Sequence, residues 1–357
     1  MSTPVVKPFL PDISSYTRYL TRAFDQGYIT NRGPLLQELE VRLAEYLGVK
    51  NVICLANCTL GLQVLYKALN LKGKVITTPF SFVATRSSLE WEGITPVFAD
   101  IEPYSWNIDP KNVQLSSWKD VSAILGVHVY GNPCDLVELD RVAKKKNVPV
   151  IYDAAHAFGV KYQGKSILSF GTASVLSFHA TKLFHTAEGG SIVTDDDDLS
   201  ELIRELISFG TVDGTYQNKL GINAKMSELH AAMGLSVLDE LPGIMNKRRE
   251  VFEEYHERLG AIFTMQKIED ATAYNYSYCP VLFQTEAKLL ECVSALESIS
   301  VYPRRYFYPS LERFSSQSSI GCQIADQISK RVLCLPIFPT LGIDSVNKIS
   351  DVVSRYS

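Results

Sequence analysis

Lys182 ends the run Ser174-Val-Leu-Ser-Phe-His-Ala-Thr-Lys182 and is followed by Leu-Phe-His-Thr-Ala-Glu-Gly189-Gly190-Ser-Ile-Val193. The pattern predicts a short strand over 173–178, a polar turn holding one lysine, a glycine pair and a second strand over 191–194. Solubility gives little reason to place a lysine in a turn between two buried strands. An amine kept dry there is neutral enough to add to a carbonyl and form a Schiff base. Standing alone, the run would describe an ordinary loop lysine. Its reading rests on what else the chain offers.

Asp153 closes the apolar run 148–153. A carboxylate at the end of a buried strand is costly unless paired, and a protonated heterocycle nitrogen would pair it; capping the following turn is the alternative. Asn57-Cys58-Thr59-Leu60-Gly61 opens a helical stretch whose first amides suit a phosphate, although Thr59 serves equally well as a plain helix cap. Ser177 lies near Lys182 in sequence and adds a hydroxyl. Phe82, after the run 75–78, offers a face on which a planar ring could stack, though core packing is the commoner fate of phenylalanine. His156, taken alone, reads as a core histidine. Amine, acid partner, phosphate cup and ring support together are what pyridoxal 5'-phosphate requires. The chain contains no GxGxxG at a strand–helix turn, no GxxxxGKS/T, no HExxH and no GxSxG.

The elements that must position these groups follow from the pattern. Strands are expected at 52–56, 75–78, 96–99, 123–128, 148–153, 173–178 and 191–194, with helices at 59–70, 82–92 and 135–146 between them. That rhythm predicts a mostly parallel seven-stranded sheet covered on both faces. The last two strands are joined by too little chain for a crossover helix, so one of them is expected to run antiparallel. Helices are expected from about Met226 to before Pro242 and over 246–259. A smaller α+β texture follows, with a strand at 278–282, a helix at 286–299 and a tail helix from Ser345. The expected division is a large domain over 1–245 and a small domain over 246–357.

A length of 357 residues suits two domains, and a net charge of −4 gives no footprint for nucleic acid. Asp195 to Asp198 reads as the acidic start of a helix rather than a metal site. The seven cysteines form no CxxC pair, which predicts reduced thiols, no disulfide framework and no metal centre. The first residues lack the apolar stretch of a signal peptide, and no segment reaches membrane-spanning length. A soluble cytoplasmic protein is expected.

With these residues in view, the chain resembles the sugar aminotransferases of the DegT/StrS family, of fold type I among pyridoxal phosphate enzymes. The likeness runs from Tyr28-Ile-Thr-Asn-Arg-Gly-Pro34 to Val332-Leu-Cys-Leu-Pro336. It is carried by Val148-Pro-Val-Ile-Tyr-Asp-Ala-Ala-His156, by Ser177-Phe-His-Ala-Thr-Lys182 with Glu188-Gly-Gly190, and by Gly221-Ile-Asn-Ala-Lys-Met-Ser-Glu228. The resemblance implies that Lys182 is the Schiff-base lysine and Asp153 the partner of the pyridine nitrogen. It implies that Thr59, Leu60 and Ser177 hold the phosphate, that Phe82 stacks on the ring, and that His156 lies near the phenolic oxygen. Asn223 matches an asparagine that reaches the phosphate of the other subunit, so a homodimer is implied. L-glutamate would be the donor, 2-oxoglutarate its product, and pyridoxamine 5'-phosphate the carrier between half-reactions.

Departures from the family pattern carry information as well. The phosphate loop reads Asn57-Cys58-Thr59-Leu60 where Ser-Gly-Thr-Ala is usual, and cysteine lacks the backbone freedom of glycine. His179-Ala180 stand where Tyr-Pro is common. Together with the segments 77–85, 130–135 and 305–309, this variant is similar to the branch that aminates C4 of a TDP-4-keto-6-deoxyglucose for surface polysaccharides. A C3-keto or UDP-linked sugar remains an alternative, as does a non-catalytic cofactor-binding regulator. Members that dehydrate carry histidine in place of the lysine, so Lys182 favours transamination. Asn31, Arg32, Arg86, Lys225, Arg305 and Tyr308 are the candidates to meet the nucleotide diphosphate.

Overall fold

In the computed structural model, which describes residues 2–212, 214–217, 220–314 and 321–357, the apolar runs between 51 and 194 become seven strands of one sheet. They are β1 (Asn51–Leu55), β2 (Lys74–Thr77), β3 (Thr95–Phe98), β4 (Val121–Val127), β5 (Val150–Asp153), β6 (Ala173–Ser177) and β7 (Gly190–Thr194). Their order in space is β1-β7-β6-β5-β4-β2-β3. The pairings β3–β2, β2–β4, β4–β5 and β5–β6 are parallel. β7 alone runs against its neighbours, pairing antiparallel with both β6 and β1. Because β7 reverses, the chain from 178 to 189 never leaves the carboxyl edge of the sheet, and Lys182 stays there with it.

Both faces of the sheet are covered, as near-continuous apolar strands require. One face carries α1 (Ile13–Gln26), α2 (Pro34–Leu47), α5 (Pro110–Leu115), α6 (Leu136–Lys146) and α8 (Glu228–Asp239), packed through Leu36, Leu39, Leu43, Leu139 and Leu235. The other carries α3 (Cys58–Ala68), α4 (Val83–Trp91) and α7 (Asp197–Leu206), through Leu62, Leu65, Leu89 and Ile203. The acidic run behaves as a helix start: Asp196 caps α7 by accepting from the Leu199 amide, and Asp197 pairs with Lys50. Cys54, Cys58, Cys134, Cys279, Cys292 and Cys334 are reduced thiols.

α9 (Leu241–Leu259) begins five residues before the expected helix start, with Pro242 in its first turn, where an N–H is not needed. Its Leu241 and Ile244 belong to the core of the large sheet, whereas Val251, Tyr255 and Leu259 belong to the C-terminal core. The expected division at 245/246 therefore falls inside one continuous helix. The C-terminal part is a three-stranded antiparallel sheet of β8 (Thr264–Met265), β9 (Cys279–Leu282) and β10 (Val332–Leu335) with α10 (Glu286–Ser298) and α12 (Ile343–Val353). Sequence reading gave no element for α11 (Gln323–Arg331), whose first amides, Ile324 and Ala325, donate to buried Asp100 just beyond β3.

Candidate active site

The ends of β1, β2, β4 (through Val127), β5 and β6 meet at one edge and open into a cavity of about 890 Å³. The chain after β1 contributes Asn57, Cys58, Thr59 and Leu60; after β2 come Ser81 and Phe82. β5 delivers Asp153, followed by His156; β6 delivers Ser177 and then Lys182. Ligands of open α/β sheets sit beyond the carboxyl ends of strands, and the candidates converge there for that reason. Thr59, Leu60, Phe82, Asp153, His156, Ser177 and Lys182 all line this one cavity. Asn223 does not; it is exposed and its backbone bridges to Ser208.

Burial pushes the Lys182 amine below the ordinary lysine range, opposed in part by Cys58, Asp153 and Tyr306. Its Nζ donates to the Tyr278 hydroxyl at 3.2 Å. Burial drives Asp153 the other way and raises its pKa, against hydrogen bonds from Thr85 and the Ala155 amide and the nearby Lys182 charge. The Thr85 hydroxyl donates to Asp153 Oδ2 at 2.7 Å, and the Ala155 amide donates to Oδ1 at 3.1 Å. Ser81 Oγ stands 2.7 Å from Thr85 Oγ1, whose single hydrogen is committed to Asp153, so Ser81 donates to it. Thr85 and Ala155 thus both donate to the carboxylate, with Ser81 donating behind Thr85.

The Tyr130 amide donates to His156 Nδ1 at 3.2 Å, which leaves the imidazole hydrogen on Nε2. Burial, with Lys182 nearby, pulls His156 well below the usual histidine range and keeps it neutral. Its role as a neutral donor is thereby set by its neighbours.

At the start of α3, Asn57 Oδ1 accepts from the Leu60 amide at 2.9 Å, so Leu60 has no free N–H to offer. The resemblance gives Leu60 to the phosphate together with Thr59; Leu60 lines the cavity beside Thr59, with its amide held by the Asn57 cap. The Cys58 and Thr59 amides remain among the first-turn groups that have no intrahelical partner. Cys58 is helical here, so the missing glycine freedom is not required. Freedom from a side chain matters instead at Gly190, where a Cβ would stand 2.7 Å from the Cys58 amide nitrogen. The donor set fits a phosphorylated ring aldehyde: open amides and hydroxyls at one end, a carboxylate at another, an amine between.

None of the six nucleotide candidates lines the cavity. Arg86 donates to the Leu311 and Phe314 carbonyls and pairs with Glu90 at 2.8 Å. Arg305 pairs with Glu286 at 2.6 Å, donates to the Lys330 carbonyl and lies 3.5 Å from the Tyr308 ring centroid. Both guanidiniums help hold the C-terminal part together or against α4. Asn31 and exposed Arg32 sit in left-handed backbone between α1 and α2, with Arg32 3.5 Å from Glu40. Lys225 lies 4.8 Å from the Phe209 ring centroid.

Sequence reasoning missed the far wall. Tyr278, Tyr306 and Phe307 come from the C-terminal part and close the cavity over Lys182 and His156. Tyr306 and Phe307 lie in the segment 305–309, noted for its resemblance, but carried no site role; nothing local marks Tyr278, and all three reach the site only through tertiary packing. His179, His-for-Tyr in the lysine turn, lines the mouth; its Nδ1 accepts from the Thr181 amide, and its Nε2 is 3.6 Å from Glu188.

A dry amine facing a buried carboxylate beside a helix start defines a fold type I pyridoxal phosphate scaffold. Comparison with known proteins narrows the class. The model of the DegT/DnrJ/EryC1/StrS aminotransferase family matches residues 12–354. The chain is 40% identical to a dTDP-4-amino-4,6-dideoxy-D-glucose transaminase of Shigella dysenteriae, over 98% of this chain and 97% of that one. It is 36% identical to the protein of the same name from Escherichia coli, with the same coverage. The crystal structure of DesI in the presence of its TDP-sugar product superposes with a TM-score of 0.94 at 35% identity, covering 99% of this chain and 92% of DesI. The chain belongs to the DegT/DnrJ/EryC1/StrS aminotransferase family. Among the described residues no helix is long and apolar enough to cross a membrane.

Proposed function

We propose that the chain transfers the amino group of L-glutamate to the keto carbon of dTDP-4-keto-6-deoxy-D-glucose, giving 2-oxoglutarate and dTDP-4-amino-4,6-dideoxy-D-glucose for a surface polysaccharide. The substrate is drawn from the names of its Shigella and Escherichia relatives. The observation that carries the chemistry is the Lys182 amine and the Asp153 carboxylate buried in one cavity at the end of β5 and β6.

Thr59, with the open first-turn amides of α3 and the Ser177 hydroxyl, would hold the phosphate of pyridoxal 5'-phosphate. Phe82 at the mouth would flank its ring, and His156 would donate from Nε2 toward its phenolic oxygen. Asp153, fixed by Thr85 and Ala155, would keep a proton on the ring nitrogen. Bound there, the cofactor supplies a sink for the electrons left when a carbon bearing nitrogen loses its proton. Lys182 takes that proton from Cα of glutamate and, in the second half of the cycle, gives one to C4 of the sugar. The lowered pKa suits this exchange, because a neutral amine is needed to accept a proton at neutral pH.

The working unit in this reading is a homodimer. Phe209 and Ile222, beside Asn223 and Lys225, are exposed apolar side chains, as are Tyr28, Ile29 and Leu229, and a second copy would cover them. A second copy covering them would bring its Asn223 and basic residues to the mouth of this chain's cavity.

The test is the visible spectrum of purified protein. The band of lysine-bound cofactor should vanish on adding glutamate and return on adding dTDP-4-keto-6-deoxy-D-glucose, with the amino sugar found by mass. A band indifferent to glutamate would overturn the donor. Turnover confined to UDP-linked or C3-keto sugars would overturn the acceptor, and no band after supplying pyridoxal phosphate would overturn the cofactor.

A further inference from the structure

Tyr278 stands at the head of β9, 7% exposed, with its hydroxyl 3.2 Å from Lys182 Nζ. It is the one hydrogen-bond acceptor the amine has among the described residues. The ring has little room to move. It packs against the His156 ring at 4.5 Å between centroids, against Tyr130 at 5.4 Å and edge-on against Tyr306 at 5.9 Å.

The backbone that carries Tyr278 is fastened from two sides. Arg248 of α9, only 3% exposed, donates from Nε to the Tyr276 carbonyl at 3.2 Å and from Nη2 to the Ser277 carbonyl at 2.7 Å. Buried Asn275 accepts from the Ser277 amide through Oδ1 and donates through Nδ2 to the His156 and Phe158 carbonyls, at 2.8 and 3.0 Å. Burying a guanidinium is costly, and among the described residues its hydrogen bonds go to main-chain carbonyls and to no carboxylate. The expense has one evident product: the residue after Ser277 is held rigidly against the lysine.

We infer that Tyr278 is a catalytic residue that docks the Lys182 amine whenever that amine is free, with Arg248 and Asn275 as its positioning residues. In each half-reaction the lysine must leave its bond, carry a proton and return. A long flexible side chain with nowhere to rest would lose that geometry between steps. The phenol suits the task because burial pushes its pKa up, so it stays protonated and offers its oxygen as an acceptor. The other groups facing Nζ are Asp153, Cys58, Tyr306 and His156, so the effect of Tyr278 is read against a fixed background.

This inference rests on Lys182 being the cofactor lysine, and the experiment separates the two. Lys182 in the cofactor-free protein is acetylated with acetic anhydride across a pH series and quantified by peptide mass, with and without pyridoxal phosphate. Protection of Lys182 by pyridoxal phosphate in the unaltered protein reports on the lysine itself. An acceptor stabilises the ammonium form, so Tyr278→Phe should lower the Lys182 pKa by about one unit. In the loaded protein the single-turnover reaction with glutamate should slow about 10- to 100-fold. Arg248→Lys, which loses the paired grip on two carbonyls, should shift both in the same direction by less, and it carries the test if Tyr278→Phe fails to fold. An unchanged Lys182 titration in a folded variant overturns the role of Tyr278, whatever pyridoxal phosphate does to the lysine.

Discussion

The floor and the roof of the cavity are built by different means. The floor, residues 57–190, is set by strand register: Val127 pairs with Asp153 and Asp153 with Val175, so the backbone ladder itself delivers the carboxylate. The roof, Tyr278 to Phe307, arrives from the C-terminal part. Side-chain hydrogen bonds dock it over the floor, with main-chain pairing entering at Arg304 and Cys334: Asn275 to the His156 loop, Arg248 to the chain before β9, and the Tyr130 hydroxyl to the Tyr306 carbonyl. A floor made by main-chain pairing tolerates few alternatives, whereas a roof held by side chains can be retuned one residue at a time. Chemistry that must not vary belongs on the former.

The contrast can be attacked at points of decreasing consequence. Lys182→Ala removes the group that moves the proton, and turnover should fall by at least about 10⁴-fold while the fold is unchanged by circular dichroism. Asp153→Asn keeps shape and hydrogen bonding but not charge. A loss of about 10²- to 10³-fold in kcat is expected, with cofactor still bound. On the roof, Asn275→Ala leaves the His156 and Phe158 carbonyls and the Ser277 amide unpaired in a buried place, which should cost about 3 kcal/mol of stability in denaturant unfolding. Equal kcat losses for Asn275→Ala and Asp153→Asn would erase the distinction drawn between the two regions. Far from both, Lys50→Ala breaks an exposed pair with Asp197 and should leave activity and melting temperature where they were.

Sequence reading reached the floor because the floor is local. Apolar runs alternating with helical patterns gave all seven strands within one or two residues, and chemistry-bearing residues sat at their ends. The short return from β6 to β7 also betrayed the antiparallel strand. What was not legible depended on distance in the chain. Tyr278 looked like the beginning of a strand, and nothing near it names Lys182, 96 positions away. Arg86 and Arg305 looked like free cations because a sequence does not show that carbonyls and Glu286 already hold them. Pro242 read as a stop, although proline in a first turn is a start. The Asn57 cap shows the same limit at short range, since its side chain took an amide that the spacing alone left open.

Helix α9 carries a consequence of another kind. Its first turn is anchored in one apolar core and its last turns in another, with no slack between Ile244 and Val251. Neither core can melt without stripping part of that helix of its partners, so the two should lose structure cooperatively. Calorimetry would then record one heat-absorption peak in place of two, and slow amide exchange would run unbroken along α9.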